Sequence, residues 1–254
     1  MGNNEMLQIP STFSLRDKNM DRIILIAVFL LATSTLGINQ LYAEEVKDPL
    51  EGVNRTVHRF NQVLDDYIAR PSAVVYSHIM PDPVQTGISN MFSNLDELTN
   101  VANDLLQGKF AQAANDSGRF LINSTLGVGG LFEVAEPLGL AKSDGEDFAQ
   151  TLAVWGVPEG PFLMLPLVGP TTLRNAPSRF VDSLANPVSE IDDISERNSL
   201  RVLSLVSTRA ELLEFDDVLA GDSYIFIRDI YLQRMEYLEK DGVIEDDFGD
   251  LDDY

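Results

Sequence analysis

Cysteine is absent from all 254 residues. Its absence excludes disulfides, thiolate metal sites, a cysteine nucleophile and a thioether-linked lipid. Histidine is limited to His58 and His78, too few for a multi-histidine metal centre. Basic charge is scarce: 18 Lys and Arg stand against 40 Asp and Glu, a formal net charge of −22. Nucleic-acid binding rests on cations neutralising phosphates, and adsorption to anionic lipid rests on polybasic segments; neither suits this chain. Gly-x-Ser-x-Gly and Ser-x-x-Lys are missing, as is any convincing run of alternating strand residues. The GxGG of Gly127, Gly129 and Gly130 has no Lys-Ser/Thr after it and follows a helical pattern, so it is neither a phosphate loop nor a dinucleotide fingerprint. A lone histidine is more often structural than catalytic. An enzyme is the minority reading, a hydrolase using His58 its most concrete form, and no catalytic residue, cofactor or metal is expected.

Hydrophobic residues make up 44% of the chain, enough for a sizeable core. Ile23 to Ala32 is an apolar run preceded by Arg16, Lys18 and Arg22 and followed by polar residues. That is the layout of a secretory signal, with cleavage expected after Ala43 and Met20 as an alternative start. The run is about half the length of a spanning helix; an uncleaved anchor is the competing reading. At the other end, residues 241–254 are mostly acidic and read as a solvated, disordered tail.

Between these ends the periodicity is helical. Asp48-Pro49-Leu50-Glu51 reads as a capped start with Pro49 at the first helical position. Leu50, Val53, Val57, Phe60, Leu64 and Ile68 then recur at threes and fours, which predicts an amphipathic helix with these residues inward. Asn54, Asn61 and Asp65 flank that stripe and read as solvated. Arg70-Pro71 predicts the helix end. A short helix or turn follows over 72–83, then a helix over 84–107 stopped by Gly108. Another spans 109–124 with Phe110, Ala113, Ser117, Phe120 and Leu121 inward, and two more cover 199–213 and 224–238.

Two segments escape this pattern. Residues 126–140 are apolar but broken by Gly127, Gly129, Gly130 and Gly139, too short to span and suited to a re-entrant or interfacial hairpin. Phe148 to Leu173 carries one charged residue, Glu159, and four prolines. An uninterrupted helix is impossible there. This backbone must be shielded, either inside a soluble core or at membrane depth.

DPLEGVNR (48–55), Phe60-Asn61, RPSAVVY (70–76), NDLLQGK (103–109), GRFLINSTLGVGGLFEVA (118–135), DFAQTLAVWGVPEGPFLMLPLVGPTTLR (147–174) and RDIYLQR (228–234) resemble the MlaA/VacJ family. The resemblance covers about 48–240, nearly all of an expected 44–240 domain. It implies an all-α, ring-shaped helical domain in the inner leaflet of the bacterial outer membrane, enclosing an amphipathic channel. It also implies non-enzymatic removal of mislocalised phospholipid from the outer leaflet, with a trimeric porin and a periplasmic lipid-carrier protein as partners. Many members are lipoproteins; without cysteine, this chain is expected to be held at the periplasmic side by direct embedding or by attachment to a porin. Under this resemblance Asn54, Phe60 and Asn61 are expected at the channel, Leu131 and Phe132 at the membrane-meeting hairpin, and Gly156, Pro161, Pro166 and Gly169 in a buried turn. A soluble periplasmic lipid-binding carrier is the alternative.

Overall fold

The computed structural model describes residues 48–218 and 221–243. The expected export signal and residues 244–254 of the acidic tail lie outside them. The fold is all-α apart from one small hairpin.

Helix α1 (Glu51–Leu64) begins two residues later than the sequence suggests. Asp48 does not cap it. Its carboxylate accepts from the Leu50 N–H and Asn54 Nδ2, each at 3.1 Å, and from the Tyr224 hydroxyl. Nor does helix end at Pro71. A π-helical turn (Asp65–Ala69) leads directly into α2 (Arg70–Ile79). There the Arg70 N–H reaches back to Asp65 O, a wider i→i−5 turn that accommodates the missing proline donor. Bidentate bonds of 2.7 and 2.9 Å from Arg209 to Asp65 fix this turn against the later helices.

After the break at Met80-Pro81 come α3 (Asp82–Gln107) and α4 (Phe110–Thr125), joined by Gly108 in the left-handed region as the sequence predicts. The glycine-rich segment then folds back on α3. At Gly127 a Cβ would stand 2.2 Å from Phe132 O, so only glycine fits.

The stretch from Phe148 forms α5 (Phe148–Val154), then a hairpin of β1 (Phe162–Leu165) and β2 (Gly169–Thr172). The register pairs Phe162 with Thr172 and Leu165 with Gly169. The strands correct the expectation of wholly irregular backbone. Pro170 is tolerated because both strands of a two-stranded sheet are edges. Helices α6 (Asn175–Ala185), α7 (Ile194–Glu211) and α8 (Ser223–Glu239) complete the chain. Order continues past the expected tail boundary: the Asp241 carboxylate meets Lys109, and Gly242 N–H donates to Tyr237 O at 2.9 Å.

A compact apolar cluster joins the hairpin to α1 and α8. Phe162, Met164 and Tyr224 form it, with Val57 and Tyr231 packed alongside. Phe162 meets Tyr224 and Tyr231 edge-on at 6.1 Å, and the Arg55 guanidinium lies 4.6 Å over the Tyr224 ring.

Candidate functional site

Burial runs opposite to the sequence expectation along the first helices. In α1 the buried residues are Asn54 and His58, whereas Val53 is 63% and Phe60 50% exposed. In α4 they are Ala113, Asp116, Arg119 and Asn123, with Phe110 and Leu121 exposed. In α3 Asn94, Glu97, Asn103 and Asp104 are buried while Val84, Leu105 and Leu106 are exposed. Apart from Val57, which packs on the core cluster, and buried Ala113, the polar faces point in and the large apolar side chains point out.

The polar interior is held by explicit partners. The Arg119 guanidinium, 1% exposed, donates to Glu97 Oε1 at 2.8 Å, Glu133 Oε2 at 3.1 Å and Leu140 O at 2.8 Å. Asn123 donates to Glu133 and accepts from the Val134 and Ala135 N–H groups at 2.8 and 2.9 Å. Together these bonds clamp the glycine-rich segment to α4. A buried ion pair stabilises little in net terms but strongly penalises loss of one partner, so this core favours one arrangement over others.

Between α3, residues 142–147, α6, α7 and α8 lies a cavity of about 1030 Å3, near the upper end of small-molecule sites (about 300–1,000 Å3). Its wall combines apolar Phe92, Leu205 and Met235 with charges of both signs. Asp96, from α3, accepts from Asn186 Nδ2 at 3.3 Å. Asp96 remains exposed to solvent at the cavity wall; crowding by its surroundings and the neighbouring Glu97 charge push its carboxyl upward. Asp182, from α6, accepts from Asn103 Nδ2 at 3.0 Å and the Phe148 N–H at 2.9 Å. Desolvation outweighs these bonds and pushes it up to about 6. Arg201 from α7 and Arg234 from α8 face the same cavity. Such a space can hold a group that carries both charged and apolar parts.

None of the sequence-predicted pathway residues lines this cavity. Asn54 and Asn61 instead complete the free edge of the hairpin. Asn54 donates to Phe162 O at 3.0 Å and accepts from the Met164 N–H at 2.9 Å. Asn61 repeats the arrangement with Leu165 O and the Leu167 N–H, both at 2.9 Å. Seven helical residues and three strand residues each advance about 10 Å, so the two carboxamides match the strand in register. Asn54 is buried and Asn61 partly so, which corrects their reading as solvated positions. Phe60, Leu131 and Phe132 are exposed on the outside. Gly156 and Gly169 adopt positive φ, and Pro161 precedes β1. Pro166 and its neighbour Leu167 form an exposed tip, so this turn is not buried as expected.

Sequence alone identified no serine for His58. The structure places Ser223 Oγ 3.0 Å from His58 Nε2, with Gln62 Nε2 donating to the same hydroxyl at 2.8 Å. The nearby Tyr224 and Ile225 N–H groups are taken by the Asp222 cap, so they do not form an oxyanion hole. Burial lowers the His58 pKa, and the group ties α1 to α8. The cavity residues Asp96, Asp182, Arg201 and Arg234 were missed. The available signal was the polar stripe Asn94, Glu97 and Asp104 running beside Asp96 along α3.

A family model described as MlaA lipoprotein matches residues 46–238. The intermembrane phospholipid transport system lipoprotein MlaA of Shigella flexneri is 36% identical over 81% of this chain and 88% of its own length. The protein of the same name from Escherichia coli strain K12 is 35% identical over the same shares. A solved structure described as the structural basis for maintenance of bacterial outer membrane lipid asymmetry superposes with a TM-score of 0.69. It is 38% identical and matches 76% of this chain and 99% of that one. On these similarities and its helical fold, the chain belongs to the MlaA family.

Proposed function

We propose that this protein removes mislocalised phospholipid from the outer leaflet of a bacterial outer membrane and so maintains lipid asymmetry. The carrying observation is the inverted burial of α1 and α4, whose outer faces bear Val53, Phe60, Phe110 and Leu121, together with the charged cavity that α3, α6, α7 and α8 build beside them. In this reading the helices lie in the membrane plane with apolar faces toward acyl chains, the protein embedding from the periplasmic side. Among the described residues no helix is long and apolar enough to cross a membrane. The headgroup passes through the cavity and the tails follow apolar surface. Transport then changes a lipid's location and requires no bond chemistry. A trimeric porin would seat the protein beside the outer leaflet, and a periplasmic lipid-carrier protein would receive the lipid.

The test is the amount of phosphatidylethanolamine labelled from outside intact cells by an impermeant amine reagent. Deleting the gene should raise labelling, and the wild-type chain should restore it. Ser204→Trp, which fills the cavity wall, should accumulate normally yet fail to restore asymmetry. Full restoration by that variant would remove the cavity from the pathway. Fractionation decides between this reading and a soluble carrier: residence in the membrane fraction supports the first, and a wholly soluble protein overturns embedding.

A further inference from the structure

The chain has few cations and pairs many of them. Arg119 meets Glu97 and Glu133, Arg174 meets Glu239, and Arg209 meets Asp65 and Asp216. On the cavity wall Glu97 and Glu146 keep that habit, paired with Arg119 and Lys109, whereas four other charged residues do not. Asp96 and Asp182 make no ion pair among the described residues, and their hydrogen bonds come from neutral donors. Arg201 donates to Ser189 Oγ at 3.2 Å, and Arg234 has no hydrogen bond or ion pair among the described residues. Asp96, Asp182, Arg201 and Arg234 therefore share one cavity of about 1030 Å3 without forming ion pairs with each other, and Lys142 and Arg179 stand on the same wall.

The carboxylates also converge. Asp96 comes from α3 and Asp182 from α6, and both line the same cavity. A primary ammonium has three N–H donors and a full charge, suited to carboxylates held by neutral groups. A phosphate suits guanidinium forks, which donate in pairs to its oxygens. We infer that the cavity prefers a zwitterionic headgroup with a primary amine, Asp96 and Asp182 receiving the ammonium and Arg201 and Arg234 the phosphate. This inference rests on the phospholipid-transport reading. A phosphoglycerol headgroup offers the same phosphate but no cation, leaving both carboxylates uncompensated. The desolvation that raises the carboxyl pKa of half-buried Asp182 points the same way, because an ammonium would replace its lost hydration.

The test uses the full chain in mild detergent, titrated calorimetrically with dihexanoyl phosphatidylethanolamine and dihexanoyl phosphatidylglycerol below their aggregation concentrations. Wild type should bind the ethanolamine lipid about fivefold more tightly or better, the scale of one partly screened charge pair. Asp96→Asn and Asp182→Asn should each abolish most of that preference while keeping phosphatidylglycerol binding. Arg234→Gln should weaken both lipids alike. Circular dichroism and melting identify a folding defect, and either carboxylate variant suffices if the other misfolds. Equal wild-type affinities overturn the headgroup inference and leave the transport reading standing. A preference that survives both carboxylate substitutions also overturns it. If neither lipid binds, the transport reading falls and the inference with it.

Discussion

Asn54 joins three parts of the chain through one carboxamide: the Asp48 carboxylate, the Phe162 carbonyl and the Met164 N–H. Asn54→Ala leaves buried backbone groups unmatched, each costing about 1–3 kcal/mol. A loss of about 2–4 kcal/mol is expected in urea unfolding, with membrane residence retained by the fraction that folds. Leu167 presents a different balance. It sits at φ 66° and is 80% exposed, an apolar side chain at a left-handed tip. Leu167→Gly should relieve about 1 kcal/mol of backbone strain yet weaken membrane retention. Improved unfolding stability with unchanged retention would separate the tip from lipid. Asp104 is wholly buried with both carboxylate oxygens unpartnered. Burial, then the Asp116 and Glu146 charges, pushes its carboxyl up to about 7, above an unfolded value of about 3.9. Folding therefore takes up a proton between those values, and stability falls as pH rises from about 4 to about 7. Asp104→Asn should remove a pH dependence on the order of 2 kcal/mol, measured as unfolding midpoints at pH 5 and 8. Sequence showed these residues but not their surroundings: an asparagine bridging α1 to a strand more than a hundred positions away leaves no local mark.

Element type was more legible than element direction. The repeat of Val53, Val57, Phe60 and Leu64 specifies a helix with two faces, but a 3.6-residue period is equally satisfied with either face inward. Assuming apolar residues inside inverted most of α1 and α4, where Asn54, His58, Asp116, Arg119 and Asn123 are buried and only Ala113 of the expected inward residues joins them. The hairpin escaped notice because Pro166, Gly169 and Pro170 interrupt the alternation that marks strands. Pro71 misled for another reason, since a π turn lets one continuous helical run pass through it. The outward face of α1 supports a test at this scale. Val53→Asp with Phe60→Asp should leave helix content in detergent unchanged and shift the protein from the membrane to the soluble or aggregated fraction. Unchanged fractionation would show that α1 faces something other than acyl chains.

For the whole molecule, the cavity could not be read from sequence because α3, α6, α7 and α8 build it together. Residues from Phe92 to Leu238 contribute to its wall, and no local pattern links them. Helical class and family membership were accessible, since periodicity and the DPLEGVNR, NDLLQGK and VPEGPFLMLPLVGP segments are local. The polar interior has a thermal consequence. Exposing apolar surface raises heat capacity and exposing polar surface lowers it, which gives ordinary domains about 12–15 cal/mol/K per residue on unfolding. Here the folded chain already displays Val53, Phe60, Phe110 and Leu121, while Asn54, Asp104, Arg119 and Thr171 are released on unfolding along with the small apolar cluster of Phe162, Met164 and Tyr224. Calorimetry should therefore give a heat-capacity increment well below that range. Such a protein would have an unusually flat stability curve, almost as resistant to cold as to moderate warmth.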